Sequence, residues 1–208
     1  MNSLNYFNEI APKWNGIRKS YFKNELSEMI VKRISIENKT IADLGCGTGF
    51  ITMKIAQYNP HAVFAVDQSL NMLQEVRKES LKRGIANIFP IRSNLDNLDI
   101  FDDTVDYITI NMALHHVKDA KKCIDEMYRI LKPGGKVVIG DVCEHNGEWA
   151  RKEMFDEWLG FSNTQILEWL NETGFTEIKL ENTSLRAIGY SSKGECIDTG
   201  IFIAEAIK

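Results

Sequence analysis

The chemistry of this sequence rests on a few acids, one glycine cluster and a handful of histidines. Asp43-Leu44-Gly45-Cys46-Gly47-Thr48-Gly49 sets a carboxylate just before three alternating glycines. Glycine permits positive φ and, having no Cβ, lets a ligand reach backbone N–H groups. A dinucleotide fingerprint would read G-x-G-x-x-G, with a pyrophosphate on the helix N-terminus. Here the third glycine comes one residue early. The Asp43 carboxylate would also repel a pyrophosphate; it suits a ligand bearing an ammonium group. Asp67 stands about twenty residues past the loop, where an acid that holds ribose hydroxyls belongs in a nucleotide-binding βαβ unit. One carboxylate accepts hydrogen bonds from two vicinal hydroxyls at once. Further on come adjacent His115 and His116, then Asp141 and His145. An imidazole can act as a base near neutral pH.

These residues need elements to hold them. The apolar run 41–44 reads as a buried parallel strand, and Phe50, Ile51, Ile55 and Ala56 are spaced for a helix face. Residues 62–67 form a second strand ending in Asp67. Ser69 caps a helix through Leu70, Leu73, Val76 and Leu81 that stops at Gly84. Residues 87–92 give a third strand, and 105–110 a fourth that ends in Asn111-Met112-Ala113-Leu114-His115-His116-Val117. Residues at the carboxyl ends of parallel strands line the crevice of open α/β sheets. A helix with Ala120, Ile124, Met127 and Ile130 on its apolar face follows. Leu131-Lys132-Pro133-Gly134-Gly135 then turns into a fifth strand over 137–142. Thr164 opens a helix that ends at Gly174, and strands at 177–180 and 201–206 close the sheet. The stretch 184–199 has no clear periodicity; a long hairpin and a pocket wall are both open. At the start of the chain Tyr6, Phe7, Ile10 and Trp14 fit one helical face that Pro12 interrupts. A second helix spans 21–34, with Phe22, Leu26, Met29, Ile30 and Ile34 on its apolar face.

Composition narrows the function classes. The chain has 208 residues, 44% hydrophobic and 26% charged, as a soluble globular protein does, and no repeat or linker divides it, so one domain over 1–208 is expected. A net charge of −4, with acids among the basic residues, gives no nucleic-acid footprint. No apolar run approaches a membrane span and no signal-peptide core opens the chain. Cys46, Cys123, Cys143 and Cys196 lack C-x-x-C spacing and read as free thiols of a reducing cytoplasm, so no metal site is expected.

Acid–glycine loop, acid after strand two, polar turn after strand three, L-H-H after strand four and K-P-G-G before strand five, in that order, resemble the class I S-adenosylmethionine-dependent methyltransferases. The likeness runs over nearly the whole chain and is strongest over 41–141. It is to the small-molecule type, near the quinone-ring methylating enzymes. It implies an α/β Rossmann-like fold: a seven-stranded, mostly parallel sheet in the order 3-2-1-4-5-7-6, with helices on both faces. It implies S-adenosylmethionine as cofactor, held by Asp43, Gly45, Cys46, Gly47, Gly49, Asp67, Gln68, Met72, Asn94, Leu95 and Asn111. Asn94 stands where the family commonly has the Asp that accepts from the adenine amino group; its amide oxygen can still accept. Residues 1–35 resemble the family's mobile lid, with Asn15 in place of the usual Asp. Tyr6 and Trp14 would then turn ring faces toward the sulfonium, an attraction of roughly 0.5–2 kcal/mol.

The reaction so implied is in-line displacement of the methyl group by a small, partly apolar acceptor, giving S-adenosylhomocysteine. His115, His116 and His145 are the candidate bases. Residues 143–163 are expected to supply an acceptor pocket, with Trp149, Phe155 and Trp158 on its wall and Asp141 and His145 at its mouth; core packing of the same residues is an open alternative. Asn111-Met112-Ala113-Leu114 differs from the N-P-P-Y tetrad of enzymes that methylate base amino groups. Other readings remain: a nucleotide-sugar or NAD-dependent oxidoreductase, whose glycine spacing differs; a non-catalytic cofactor-binding protein of the same fold; and a thiol- or arsenic-handling methyltransferase built on Cys123, Cys143 and Cys196. The oligomeric state is not legible in the chain.

Overall fold

The structure is a computed structural model that describes residues 3–21 and 24–208. Phe22, assigned above to a helix face, lies outside them. Seven strands form one sheet: β1 (Thr40–Leu44), β2 (Ala62–Asp67), β3 (Ile88–Arg92), β4 (Val105–Asn111), β5 (Leu131–Val142), β6 (Thr176–Tyr190) and β7 (Cys196–Ile207). Their order is β3-β2-β1-β4-β5-β7-β6. All pairs among the first five are parallel, and β7 runs antiparallel to both β5 and β6. Both the strand order and the reversed last strand agree with expectation.

The helices are α1 (Ser3–Ile10), α2 (Trp14–Tyr21), α3 (Glu25–Val31), α4 (Phe50–Ile55), α5 (Leu70–Arg83), α6 (Ala120–Ile130), α7 (Trp149–Glu153) and α8 (Asn163–Thr173). Their ends follow from local chemistry. Ser69 accepts from the Met72 N–H at 3.2 Å to start α5, and Gly84, at φ +67, ends it. Pro12 falls in a short 3-10 turn between α1 and α2, where its missing N–H breaks the helical ladder. α8 starts one residue before Thr164 because Ser162 is its cap.

Two apolar clusters sandwich the sheet. One joins β1, β4 and β5 to α6 and α8 through Leu44, Ile110, Ile124, Met127, Phe161 and Leu170. The other joins Ile41 and Val63 to α3, α4 and α5 through Leu26, Ile30, Ile51, Leu73 and Val76.

Four elements differ from expectation. The helix expected over 21–34 is shorter: Tyr21 ends α2, and α3 covers Glu25–Val31, so Ile34 lies beyond it. β5 begins at Leu131, which pairs with Val105; after an irregularity at the Pro-Gly-Gly turn, pairing resumes at Tyr107–Lys136. β6 runs to Tyr190 and β7 starts at Cys196, so most of 184–199 is a long hairpin. The segment 143–163 contains only the five-residue α7.

Candidate active site

The carboxyl ends of β1, β2 and β4 open into a cavity of about 420 Å³. Gly45, Cys46 and Gly47 form its floor, with φ of +63 and +52 at the two glycines. A Cβ on Gly45 would lie 2.4 Å from that of Ala113, so the loop presses against the turn after β4. Asp67 braces the loop: Gly47 N–H donates to its Oδ2 at 2.9 Å and Ser69 N–H to its Oδ1 at 2.8 Å. Each oxygen keeps accepting capacity toward the cavity.

Asp43 lies at the end of β1, 1% exposed. Thr52 donates to its Oδ2 at 2.6 Å and Thr109 to its Oδ1 at 3.1 Å. Burial outweighs these two bonds, so its carboxyl is pushed up to about 6; the nearby Asp67 charge adds to the rise. Burial raises Asp67 as well. The floor therefore holds two carboxyls poorly compensated for their charge.

Gln68, Met72, Asn94, Leu95, Asn111 and Trp14 line the same cavity. Asn111 Oδ1 is buried there without a hydrogen-bond partner. Two assignments are corrected. Gly49 does not line the cavity; at φ +88 it caps α4, and a Cβ would press on Val76 and Met53. Tyr6 packs against Phe7 and Phe155 at ring distances of 5.3 and 5.2 Å, and Phe7 lines the cavity instead. Neighbouring helical residues point about 100° apart, so Tyr6 and Phe7 cannot share a face. Phe7 packs edge-on to Trp14. α1 and α2 roof the loop through Asn8, which accepts from Ser69 Oγ at 2.7 Å, and Asn15, which accepts from Thr48 Oγ1 at 2.9 Å.

A second, smaller cavity of about 70 Å³ adjoins the first. Trp14, Met112 and His116 line both. Its other walls come from Tyr21, His115, His145, Trp149 and Asp156, and from Ala187, Gly189 and Ile197 of the β6–β7 hairpin. The unperiodic stretch is thus hairpin and pocket wall at once. His115, His116 and His145 all border this cavity. His115 Nδ1 lies 2.5 Å from Asp141 Oδ1. Burial opposes its charge, but the charge and hydrogen bond of Asp141, helped by Asp156, lift it to about 9. Burial holds His116 well below its ordinary value and, less strongly, lowers His145. Asp156 is raised to about 6 by burial.

The aromatic segment is corrected in part. Trp149 lines the cavity. Phe155 is stacked on Tyr6, and Trp158 packs on Phe161 and Trp169 while its Nε1 donates to Val117 O at 3.0 Å. Asp141 is no mouth residue: it is fully buried beneath His115 and also accepts from Val142 N–H at 2.7 Å. The sequence missed that pairing, Phe7, Asp156 and Arg18, whose guanidinium sits 3.6 Å over the Phe50 ring at the cavity wall. None of them falls in a local motif.

The cysteines do not converge. Among the described residues, His115, His116 and Asp156 are the one group of three His, Cys, Asp or Glu residues brought together, and Cys123 is buried in the core on α6. That removes the basis for a three-thiol site. A Tyr-x-x-x-Lys spacing does occur, at Tyr128 and Lys132. Tyr128 packs on Phe175 and Lys132 bonds Asp106, and neither lines either of the two cavities, so the pair does not serve the site there.

Residues 42–139 match the methyltransferase domain family. A demethylmenaquinone methyltransferase of Geobacillus sp. (strain WCH70) is 39% identical over 114 residues, 53% of this chain and 49% of that one. The chain thus spans about half the length of such curated relatives. Among solved structures, the [4+2]-cyclase SpnF superposes with a TM-score of 0.81 at 17% identity, covering 99% of this chain and 94% of that one. Phosphoethanolamine N-methyltransferase 2 of Haemonchus contortus, in complex with S-adenosyl-L-methionine, gives 0.74 at 19%, covering 88% and 52%. These two show the fold alone; one is a cyclase, and a fold does not fix a reaction. By its strand order the chain has the class I S-adenosylmethionine-dependent methyltransferase fold, and its matched core is similar to a methyltransferase domain and to a quinone-methylating relative.

Proposed function

We propose that this chain transfers a methyl group from S-adenosylmethionine to a small, partly apolar acceptor. The observation that carries the proposal is the junction of the two cavities at Trp14, Met112 and His116, with nucleotide-type donors on one side and apolar walls on the other. Bound in the larger cavity, the cofactor would supply a sulfonium-activated methyl group.

The donor set suits that ligand. Asp67 keeps lone pairs for ribose hydroxyls. Asn111 Oδ1, buried and unpartnered, is an acceptor for an ammonium, with the Asp43 carboxyl behind it. Arg18 brings a guanidinium to the cavity for a carboxylate. Asn94 and the Leu95 backbone serve the adenine edge. Trp14, Met112 and Phe7 exclude water where the cavities meet, and His116 orients the acceptor there. The remaining work of the protein is alignment.

The smaller cavity bounds the acceptor. A cavity of roughly 150 Å³ holds benzene, and this one has about 70 Å³. A bicyclic quinone ring requires the α1–α2 roof to lift; an acceptor of a few heavy atoms does not. The exposed Cys196 thiol suits a reducing cytoplasm.

Calorimetric titration with S-adenosylmethionine tests the cofactor half, with NADH as control. Micromolar binding that disappears in Asp67→Ala supports the proposal and licenses a screen of phenols, hydroquinones and thiols for S-adenosylhomocysteine release. Binding of NADH, or of neither ligand, would sink it.

A further inference from the structure

We propose that His115, His116 and Asp156 form a binding site for a divalent transition-metal ion, with an open coordination position facing the smaller cavity. One ligand atom from each residue lies within 4.8 Å of the other two. His116 Nδ1 and Asp156 Oδ1 stand 3.3 Å apart. Ligand atoms about 2.0–2.1 Å from a tetrahedral ion are about 3.3–3.4 Å from one another, so this edge is already at its metal-bound length.

The hydrogen-bond pattern around that edge points the same way. Both atoms are buried and neither has a hydrogen-bond partner. The Asp156 side chain is 8% exposed. With its proton on Nε2, the neutral His116 ring leaves the Nδ1 lone pair on that edge. A nitrogen lone pair therefore faces a carboxylate oxygen in a dry site, and two acceptors so placed call for a cation between them.

His115 completes the set. Its Nδ1 is taken by Asp141, which leaves Nε2 as its donor. A carboxylate on the far nitrogen of a liganding imidazole fixes the ring and raises its basicity. The two imidazole rings are 4.1 Å apart at a tilt of 46°, so they approach the site from one side. Two nitrogens, one oxygen and an open position suit zinc, cobalt or iron over magnesium, which demands oxygen ligands in an octahedron. Trp149, Met112 and Ile197 line the same cavity as the three ligands. The site stands on its own geometry, whether or not the methyl-transfer reading holds.

The test is calorimetric titration of the chelator-treated full chain with Zn²⁺, Co²⁺ and Mg²⁺, without cofactor. We expect about one equivalent of Zn²⁺ at micromolar affinity or tighter, visible d–d bands with Co²⁺, and Mg²⁺ weaker by about tenfold or more. Asp156→Asn and His116→Gln should each weaken Zn²⁺ by about tenfold or more, and Asp141→Asn should do so without removing a ligand. His61→Ala and Cys143→Ser/Cys196→Ser should leave the affinity within about twofold; circular dichroism checks that each variant is folded. Absence of binding to the folded wild type overturns the proposal, as does binding that folded Asp156→Asn retains or that the cysteine pair abolishes.

Discussion

Asp43 offers the sharpest test of how this site holds its charge. Its carboxyl is buried, bonded by two threonine hydroxyls and the Thr52 backbone, and lifted from its ordinary 3.8 to about 6. Because the folded-state value lies above the unfolded one, the folded protein keeps the proton longer. Stability contributed by the protonated form is present below about pH 4 and is lost as pH rises to about 6; above that the loss is complete. The size follows from the shift: roughly two units at 1.36 kcal/mol each, about 3 kcal/mol. Asp43→Asn mimics the protonated acid, with an amide oxygen for one threonine and an N–H for the other. Urea denaturation of both proteins at pH 4, 5, 6 and 7 isolates this group from all other titrations. The two should be equally stable near pH 4, and the Asn variant more stable by up to about 3 kcal/mol at pH 7. Such a residue lowers stability at neutral pH, and under the proposed function the ammonium of the bound cofactor would relieve it. Hence S-adenosylmethionine should bind the wild type more tightly as pH rises through 6, and that slope should vanish in Asp43→Asn. A stability difference that stays flat from pH 4 to 7, or an Asn variant that is the less stable at pH 7, refutes the reasoning.

Other perturbations probe separate parts. Gly45→Ala forces a Cβ to 2.4 Å from Ala113 at φ +63; it should cost about 2–4 kcal/mol in urea denaturation and cut cofactor affinity with it. Asp141→Ala strands the His115 ring, the His115 N–H and the Val142 N–H in the core, and should lower stability by about 3–5 kcal/mol, read as a drop in Tm. Ser69→Ala removes the cap of α5 and a contact to Asn8, for about 1 kcal/mol in the same assay. Gly189→Val would press on Tyr21 and Trp149 across the smaller cavity; in turnover assays it should raise KM for the acceptor while the cofactor Kd, by calorimetry, stays within about twofold.

What could be read from the sequence follows how local each signal is. The β1 loop, Asp67 and the Ser69–Gly84 limits of α5 are set by residues a few positions apart, and a linear reading finds them. The His115–Asp141 bond joins residues 26 apart on neighbouring strand ends, and only sheet order brings them together. β6 runs well past the four residues expected because its pairing with β7 slips between Asn182 and Arg186, which reverses the phase of the period-two alternation in mid-strand. At the chain start the spacing of Tyr6, Phe7, Ile10 and Trp14 fixed a helical stripe but not which aromatic ring turns inward. Phe7 does, because the 3-10 turn at Pro12 folds α2 back so that the Trp14 ring packs edge-on to it, a contact between two helices that no single helical period encodes.

The same distinction divides the two cavities. The larger one is built from consecutive strand–turn units, so its chemistry is written in short motifs that the family shares. The smaller one takes α2, the turn after β4, the α7 segment and a hairpin from the far end of the chain. Those elements can change in length without disturbing the sheet, since the hairpin lies at its edge. A change there alters the acceptor and leaves the cofactor floor intact. A cyclase and an N-methyltransferase superpose on this one scaffold, and under the proposed function the acceptor is chosen at the smaller cavity, where His115, His116 and Asp156 lie, rather than at the glycine loop.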